Sequence, residues 1–531
     1  MRSFRVVLLL TFFFPLVLFS QTTFKLNGEL RSLSENADRP LSNSGVVFYV
    51  RGDSVWFGTG KGLDLTTDGG SSWRHLGDEP TFNNADFDHN DISALSAYGS
   101  TYWAALAGSE PLDDGSSLPK GLGLVMSTDN GATWKHIAQP MEAEGDSTYV
   151  VQYGVSRLKA LSVTTPIQNI TYDLAATSNA VYTTSFAGGL RKSTDMGATF
   201  HLMVLPPDNL DSISISDTVN FDLSPVDRPD RWNLSGTVKG MRGNFNHRVF
   251  SVLAVTDSEL WVGTAGGINR TTDGGNSWRK FSYTNQANPI SGNFVVAIGR
   301  NVIGGTPFIW AATINANDPQ EFRAISFTSD QGRTWSTALR GEFTHNFGFM
   351  NSVVYAVSNT GVFRSDNAGL SWTHYTGFVD TKHNRRSYDD ACYAVASQGD
   401  TIWVANVDGL MNTRDNSVTP FGSDWTIFRA AAPLASAKQA YAYPNPFSPD
   451  DEVCRIHYRT TQSGSVSIRV FDFAMFPVRT IIQNASRTPS SEIDDIWDGK
   501  DDNRKQVANG LYYIKVTQDG EDVWTKIIVL Q

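Results

Sequence analysis

Five aspartates recur along the chain in one local setting, each at the third position of an eight-residue segment that ends in an aromatic residue. Carboxylates can do acid–base chemistry or bind calcium, but calcium takes about six to eight oxygen ligands and each segment supplies one carboxylate. Beside turn residues, a carboxylate instead accepts hydrogen bonds from the amides of its own turn. We therefore expect a structural role for all five and predict neither a metal site nor a cofactor. The segments are TTDGGSSW, STDNGATW, STDMGATF, TTDGGNSW and TSDQGRTW, and the aspartates are Asp68, Asp129, Asp195, Asp273 and Asp330.

The other fixed positions of this octet also have physical roles. Glycine at the fifth position supplies the positive φ that a tight turn needs. The terminal Trp or Phe is a large apolar anchor that points into a sheet. Two less regular copies follow the five. In SDNAGLSW, Asn367 replaces the aspartate, and Thr413, Asp415 and Trp425 keep part of the pattern at wider spacing in a seventh copy.

The spacing of the octets predicts the architecture. A segment that returns roughly every sixty residues marks stacked copies of one small unit, and that size matches a propeller blade. Upstream of the octets lie aromatic and β-branched runs separated by glycine turns, such as VWFGTGKGLDLTTD and LWVGTAGGINRTTD. Four strands per repeat and seven repeats predict an all-β chain with a seven-bladed β-propeller.

The octet closely resembles the Asp-box, or BNR, repeat in five copies and loosely in two. That resemblance implies that the octet closes the turn between the third and fourth strands of each blade. It also implies a structural carboxylate. Propellers with this repeat include sialidases and photosystem assembly factors, so the resemblance does not choose between catalysis and binding.

Composition changes after Trp425. A low-complexity linker at residues 431–440 leads to alternating runs that predict a small β-sandwich at residues 441–531. YPNPF, then WDGKDDNRKQVANGLYYIKV, then TKIIVL resemble the immunoglobulin-like domain shared by flagellar hook-capping (FlgD-like) proteins and type IX secretion sorting domains. The resemblance implies the type IX machinery as partner and a Gram-negative source. Arg504 stands where the family usually has glycine, so we expect Asn503 to take the left-handed conformation.

The N-terminus has the pattern of an export signal. Arg2 and Arg5 precede an apolar run that ends at Ser20, which predicts a signal peptide at residues 1–20 and no transmembrane segment after its removal. The propeller then covers residues 21–430. A secreted or cell-surface location follows, reached through the periplasm.

Charge and cysteine content narrow the class of partner. The net charge is −11, and an acidic surface of this kind argues against nucleic acid or anionic membrane as the partner. The two cysteines, Cys392 and Cys454, fall in different predicted domains, so we expect two buried reduced thiols.

Catalytic motifs are missing from the sequence. Sialidases need three arginines, the first in a Phe/Tyr-Arg-Ile-Pro motif, and neither Arg51 nor Arg323 is followed by that proline. No HExxH, GxSxG or GxxxxGK segment occurs. Two hypotheses remain: a binding or adhesion module for an extracellular glycan or protein, and a divergent polysaccharide-degrading glycoside hydrolase. A carboxylate pair about 5 to 9 Å apart in the central depression would favour the hydrolase.

Strand counting predicts the ligand-binding face. In a four-stranded meander, the link to the next blade and the loop between strands two and three lie opposite the octet turn. The longest link, residues 206–247, carries Arg228, Arg231 and Trp232, which are our candidate ligand-binding residues. The alternative is that Trp232 only packs this insertion onto its own blade.

Overall fold

The computed structural model describes residues 39–76, 91–112, 116–143, 148–227, 243–383, 385–430, 434, 439–449 and 453–530. The chain divides into two compact units: unit 1 is Met1–Phe378 with Ser387–Arg429, and unit 2 is Val379–Arg386 with Ala430–Gln531. The predicted signal peptide lies outside the described residues. Across those residues the regular structure is almost entirely β, as predicted, with a short 3-10 turn at Phe245–His247. Their helical content includes no segment with the length and apolarity needed to cross a membrane.

Unit 1 is built from antiparallel sheets whose four main strands follow one another along the chain, and its described residues contain seven such sheets. Sheet 1 has β1 (Gly45–Arg51), β2 (Ser54–Thr59), β3 (Gly62–Thr66) and β4 (Arg74–Leu76), and sheet 2 has β5 (Asp91–Tyr98), β6 (Thr101–Pro111), β7 (Ser117–Ser127) and β8 (Lys135–Ile137). After β9 (Thr148–Tyr153) and β10 (Ser156–Leu161), sheet 3 has β11 (Asp173–Ala176), β12 (Val181–Ser185), β13 (Gly189–Ser193) and β14 (His201–Leu202). After β15 (Ser212–Ser214) and β16 (Asp222–Leu223), sheet 4 has β17 (Val249–Ala254), β18 (Leu260–Thr264), β19 (Gly267–Thr271) and β20 (Ser277–Phe281).

The remaining sheets of unit 1 repeat the pattern. Sheet 5 has β21 (Phe294–Ile303), β22 (Thr306–Ile314), β23 (Ala324–Thr328) and β24 (Ser336–Ala338), and sheet 6 has β25 (Thr344–Met350), β26 (Val353–Ser358), β27 (Gly361–Ser365) and β28 (Thr373–Tyr375). After the hairpin of β29 (Val379–Asp380) and β30 (Arg385–Arg386), sheet 7 has β31 (Cys392–Gln398), β32 (Thr401–Asn406), β33 (Gly409–Arg414) and β34 (Trp425–Phe428).

Apolar clusters join each sheet to the next and the last sheet to the first. The second strand of every sheet contributes a buried Trp or Tyr. Between sheets 7 and 1, Trp403 packs with Phe57 and with the octet residue Trp73. The first strands of successive sheets also contact one another around the whole set. This closed ring of four-stranded sheets is a β-propeller arrangement. The buried second-strand aromatics are Trp56, Trp103, Tyr182, Trp261, Trp310, Tyr355 and Trp403.

The fifth octet position needs glycine for two reasons, of which the sequence showed one. Gly131 has a φ of 84°, the positive value predicted for this turn. In addition, a Cβ at Gly131 would lie 2.2 Å from Cη2 of Trp56, in the preceding sheet. The octet turn of one sheet therefore abuts the buried aromatic of the sheet before it.

The long insertion between sheets 3 and 4 does not stay on the link face. Ile213 of β15 pairs with Trp278 on the outer strand β20. The Ile215 N–H donates to the carbonyl of Asn276, in the octet turn, at 2.9 Å. The described part of residues 206–247 thus runs along the outer edge toward the octet face, which corrects the expectation that the whole insertion lies opposite it. The reason is physical: an outer strand leaves backbone groups unpaired, and β15 pairs with them.

Unit 2 contains the β29–β30 hairpin and, from Ala430 onward, two sheets around one apolar core. The first has the order β35-β36-β39 and the second β38-β37-β40-β41. Tyr458 of the first sheet and Val470 and Ile514 of the second belong to the same buried cluster. The strands are β35 (Ala440–Tyr443), β36 (Cys454–Thr460), β37 (Gly464–Phe471), β38 (Pro477–Arg487), β39 (Ser490–Trp497), β40 (Gly510–Gln518) and β41 (Glu521–Val529).

The turn before β40 departs from our expectation. Arg504 itself takes the left-handed conformation, with a φ of 64°, so the assignment of that conformation to Asn503 was wrong. The carboxylate of Asp501 explains the difference, because it accepts the amides of Asn503 at 2.8 Å and Lys505 at 2.9 Å and so fixes the turn. Both cysteines are buried thiols, as predicted.

Candidate functional site

The octet carboxylates are engaged in their own turns. Asp129 Oδ1 accepts the Thr133 amide at 2.8 Å and Oδ2 accepts the Thr133 hydroxyl at 2.6 Å. These hydrogen bonds lower the pKa of Asp129 to about 2, and matching bonds from Thr199 lower that of Asp195 to about 2. A group held ionised by its own turn is a poor proton donor. The same amide contact, four residues ahead, is made by Asp68, Asp273, Asp330 and Asn367.

The stretched seventh copy works differently. Asp415 accepts hydrogen bonds from the Tyr355 hydroxyl and from Arg364 Nε, the latter at 2.6 Å. Asn416 takes over the turn, because its Oδ1 accepts the amides of Val418 and Thr419. Asp415 therefore joins sheet 7 to sheet 6 instead of closing its own turn.

The three candidate ligand-binding residues, Arg228, Arg231 and Trp232, lie outside the described residues. The described chain resumes at Gly243 and reaches β17 through Phe245 and Arg248. The Arg248 guanidinium lies 4.4 Å from the ring centre of Phe245 and 5.2 Å from that of Phe186. This end of the link therefore leads to a set of aromatic side chains at the start of the first strands.

Near their starts, the first strands share a β-bulge. In six of the seven described first strands the pairing with the second strand skips one residue, and a bulge of this kind re-aims the side chain that is skipped. Each skipped side chain is half-buried. These residues are Val46, Ser93, Phe250, Val296, His345 and Tyr393.

Four half-buried aromatic residues meet where sheets 3, 4 and 5 begin, and we call Tyr172, Phe186, Phe250 and Phe294 the aromatic row. Phe250 stacks on Phe294 with ring centres 4.4 Å apart, and its centre lies 5.2 Å from that of Tyr172. Phe186 comes from the loop between strands two and three of sheet 3. The row lies on the link face, opposite the octets, and the exposed part of its rings can stack on a sugar or hold an apolar protein side chain.

A smaller group sits where sheets 6 and 7 begin. His345 lies between Phe343 and Tyr393, with ring centres 4.9 and 4.7 Å away. Burial lowers the pKa of His345 to about 4, and its Nε2 lies 2.6 Å from Asn359 Oδ1. A neutral imidazole in this position packs as an aromatic ring.

Two carboxyl groups in the first strands have raised pKa values. Burial raises the pKa of Asp91 and of Asp173 to about 7. The Asp173 oxygens accept the amides of Leu174 and Val252, each at 2.8 Å, so this side chain joins sheet 3 to sheet 4. No second carboxylate contributes to either shift, so neither group belongs to a close acidic pair within the described residues.

Cavities and metal ligands offer no competing site in the described part of the chain. A cavity lined by Tyr149, Leu190 and Leu205 has a volume of about 20 Å³, room for little more than one water. Nowhere in the described ranges do three His, Cys, Asp or Glu side chains group as metal ligands would. The aromatic row is therefore the candidate site. The sequence analysis did not predict this row.

Neither a protein-family model nor a curated protein matches this chain. Among solved structures, YCF48 from Cyanidioschyzon merolae is 14% identical over 71% of this chain and 98% of its own, with a TM-score of 0.40. A GH74 enzyme of Niastella koreensis is 13% identical over 94% of this chain and 75% of its own, with a TM-score of 0.48. PorZ of Porphyromonas gingivalis, a bacterial surface component of the type IX secretion system, is 11% identical over 92% of this chain and 75% of its own, with a TM-score of 0.24.

Proposed function

We propose that the protein is a secreted or cell-surface binding module of a Gram-negative bacterium, and that its ligand binds at the aromatic row. In this proposal the seven sheets are the blades of an Asp-box β-propeller and unit 2 is an immunoglobulin-like sorting domain. The observation that carries the proposal is the row itself: Tyr172, Phe186 and Phe294 each contact Phe250, and all four side chains are partly exposed on one face of the ring. Contiguous apolar surface that water can reach marks interaction sites.

The ligand is an extracellular glycan or protein. Arg228, Arg231 and Trp232 belong to the link between sheets 3 and 4, and we propose that they contribute to ligand binding. Arginine beside aromatic rings supplies hydrogen-bond donors next to a stacking surface, which suits either ligand. Residues 441–531 supply the route outward, through the type IX machinery, after a leader at residues 1–20 has directed passage across the inner membrane.

A glycoside hydrolase of the Asp-box propeller kind is the second candidate. It is favoured by the pKa of Asp91, which at about 7 suits a general acid at neutral pH. Among the described residues, burial alone accounts for the shift at Asp91, and no second carboxylate contributes to it. Hydrolysis of a polysaccharide that is lost in Asp91→Asn would establish the hydrolase.

The binding proposal is tested by screening the exported protein on glycan and cell-envelope arrays. Tyr172→Ala with Phe250→Ala should weaken binding to the strongest hit by at least tenfold, and Arg231→Ala with Trp232→Ala should do the same. The matched control is Leu370→Ala, which removes a side chain that is 84% exposed in the octet turn of sheet 6 and should leave affinity unchanged. Melting temperatures of all variants separate loss of binding from loss of fold. Unchanged affinity in the folded Tyr172/Phe250 variant would remove the row as the site.

A further inference from the structure

Unit 2 ends one of its hairpins in an apolar tip. We infer that this tip, residues 472–476 between β37 and β38, inserts into a lipid bilayer surface that carries anionic headgroups. This goes beyond the proposed function, because it concerns unit 2 and does not depend on a ligand at the aromatic row. Three large apolar side chains in this stretch carry the inference: Phe473 is 79% exposed, Met475 48% and Phe476 68%.

The tip is a fixed structure rather than a loose loop end. Asp472 Oδ1 accepts the amides of Ala474 and Phe476, both at 2.9 Å. The Asp472 amide donates to the Phe476 carbonyl at 3.0 Å, which closes the turn. Met475 has a φ of 65°, a conformation that favours glycine. The carboxylate is thus directed into the turn, and the three apolar side chains are held outside it.

Two basic residues lie in a turn that is hydrogen-bonded to the strand leaving the tip. The turn at residues 501–505 is tied to the start of β38, because the Asp502 amide donates to the Val478 carbonyl at 2.9 Å. Arg504 and Lys505 are exposed in that turn. The acidic groups beside them are engaged, since Asp501 accepts two amides of its own turn and Asp502 accepts the Thr480 amide.

The sheet face behind the tip adds two more cations and an aromatic anchor. Lys526 pairs in register with Tyr513, which in turn pairs with Phe471, the last residue before the tip. Arg469 lies on the same face. The cross-strand pairs that begin at Arg469 end at Trp524, which is 43% exposed. Tryptophan and arginine or lysine side chains are the residues that settle at the headgroup level of a bilayer.

A bilayer fits this shape better than a protein does. The tip is convex, so a protein partner would need a socket for two phenylalanines, whereas a bilayer interface needs none. At physiological salt a charge acts over about 8 Å, so the net charge of −11, which belongs to the whole chain, matters less at the tip than the groups beside it. Each basic residue near an anionic surface adds to binding.

The test is co-sedimentation of the exported protein with vesicles of phosphatidylcholine alone and with 30% phosphatidylglycerol, a composition that we choose to supply negative charge. Binding should be at least fivefold stronger with phosphatidylglycerol and should weaken as sodium chloride rises. Phe473→Ser with Phe476→Ser should lower it at least tenfold. Arg504→Gln with Lys505→Gln, which leaves the turn backbone intact, should lower it at least threefold on the charged vesicles only. Leu370→Ser, at an exposed apolar site in unit 1, is the control and should bind like the parent protein.

Absence of binding to both vesicle types would overturn the inference. So would binding that the Phe473/Phe476 variant retains. Sedimentation velocity supplies the competing outcome: self-association that rises with concentration and disappears in the Phe473/Phe476 variant, without vesicle binding, would assign the tip to a protein interface. An array result at the aromatic row stands or falls separately, because neither variant alters unit 1.

Discussion

The octet glycine gives the sharpest test of how the sheets pack. Gly131→Ala adds a Cβ at a φ of 84°, and a β-carbon in the left-handed region costs about 1–2 kcal/mol. It also places that carbon 2.2 Å from Trp56 Cη2, well inside the contact distance of about 3.5–4.0 Å. Trp56 is 3% exposed and packs on Tyr102 and Trp134, so its ring cannot move freely. Overpacking adds about 1–3 kcal/mol, which gives a total of about 2–5 kcal/mol.

Gly99→Ala is the matched control. Gly99 has a φ of 59°, and a Cβ there would meet no atom within 4 Å, so this variant carries the backbone cost alone, about 1–2 kcal/mol. Urea unfolding followed by far-ultraviolet circular dichroism measures both. In a Trp56→Phe background the smaller ring should make room, and Gly131→Ala should then cost no more than Gly99→Ala. Equal losses for the two glycine variants in the parent background would refute the packing argument.

Three further predictions follow. Trp278→Ala should cost about 3–5 kcal/mol in urea unfolding, because a side chain that is 2% exposed leaves a cavity, whereas Asp273→Ala should cost about 1–2 kcal/mol because water can reach the freed turn amide. A larger loss for Asp273→Ala than for Trp278→Ala would contradict this order. His345 has a pKa of about 4 in the folded protein against 6.5 in the unfolded chain, so the free energy of unfolding should fall as pH drops from 6.5 toward 4. In His345→Asn, the difference between the urea midpoints measured at pH 7 and at pH 5 should be smaller than in the parent protein. Removal of residues 441–531 should leave a folded propeller in the periplasm on cell fractionation, and its normal appearance outside the cell would refute the export proposal.

The sequence predicted the repeating part of the fold because the residues that determine each octet turn lie within eight positions of one another. Turn carboxylate, glycine and aromatic anchor are local features, and the structure has each octet between the third and fourth strands as predicted. The sequence could not show that Met196, Gln331 and Ala368, at the fourth octet position, also adopt positive φ values of 59°, 65° and 59°. Nothing in those side chains requires that conformation; the turn imposes it.

The candidate site escaped sequence reasoning for a different reason. Phe250 and Phe294 are separated by a whole sheet in the chain, and only closure of the ring brings their rings together. The insertion at residues 206–247 is the longest link in the sequence, and for that reason we predicted the ligand-binding residues there. Its described part instead pairs with the edge of sheet 4 through β15. Long-range juxtaposition follows from topology and carries no local signal.

The most direct test of the central claim is a structure of the exported protein with the strongest hit from the glycan and cell-envelope arrays. We predict ligand atoms in van der Waals contact with the rings of Tyr172, Phe250 and Phe294 on the link face. A ligand that contacts only the octet turns, around Asp129 or Asp330, would contradict the account.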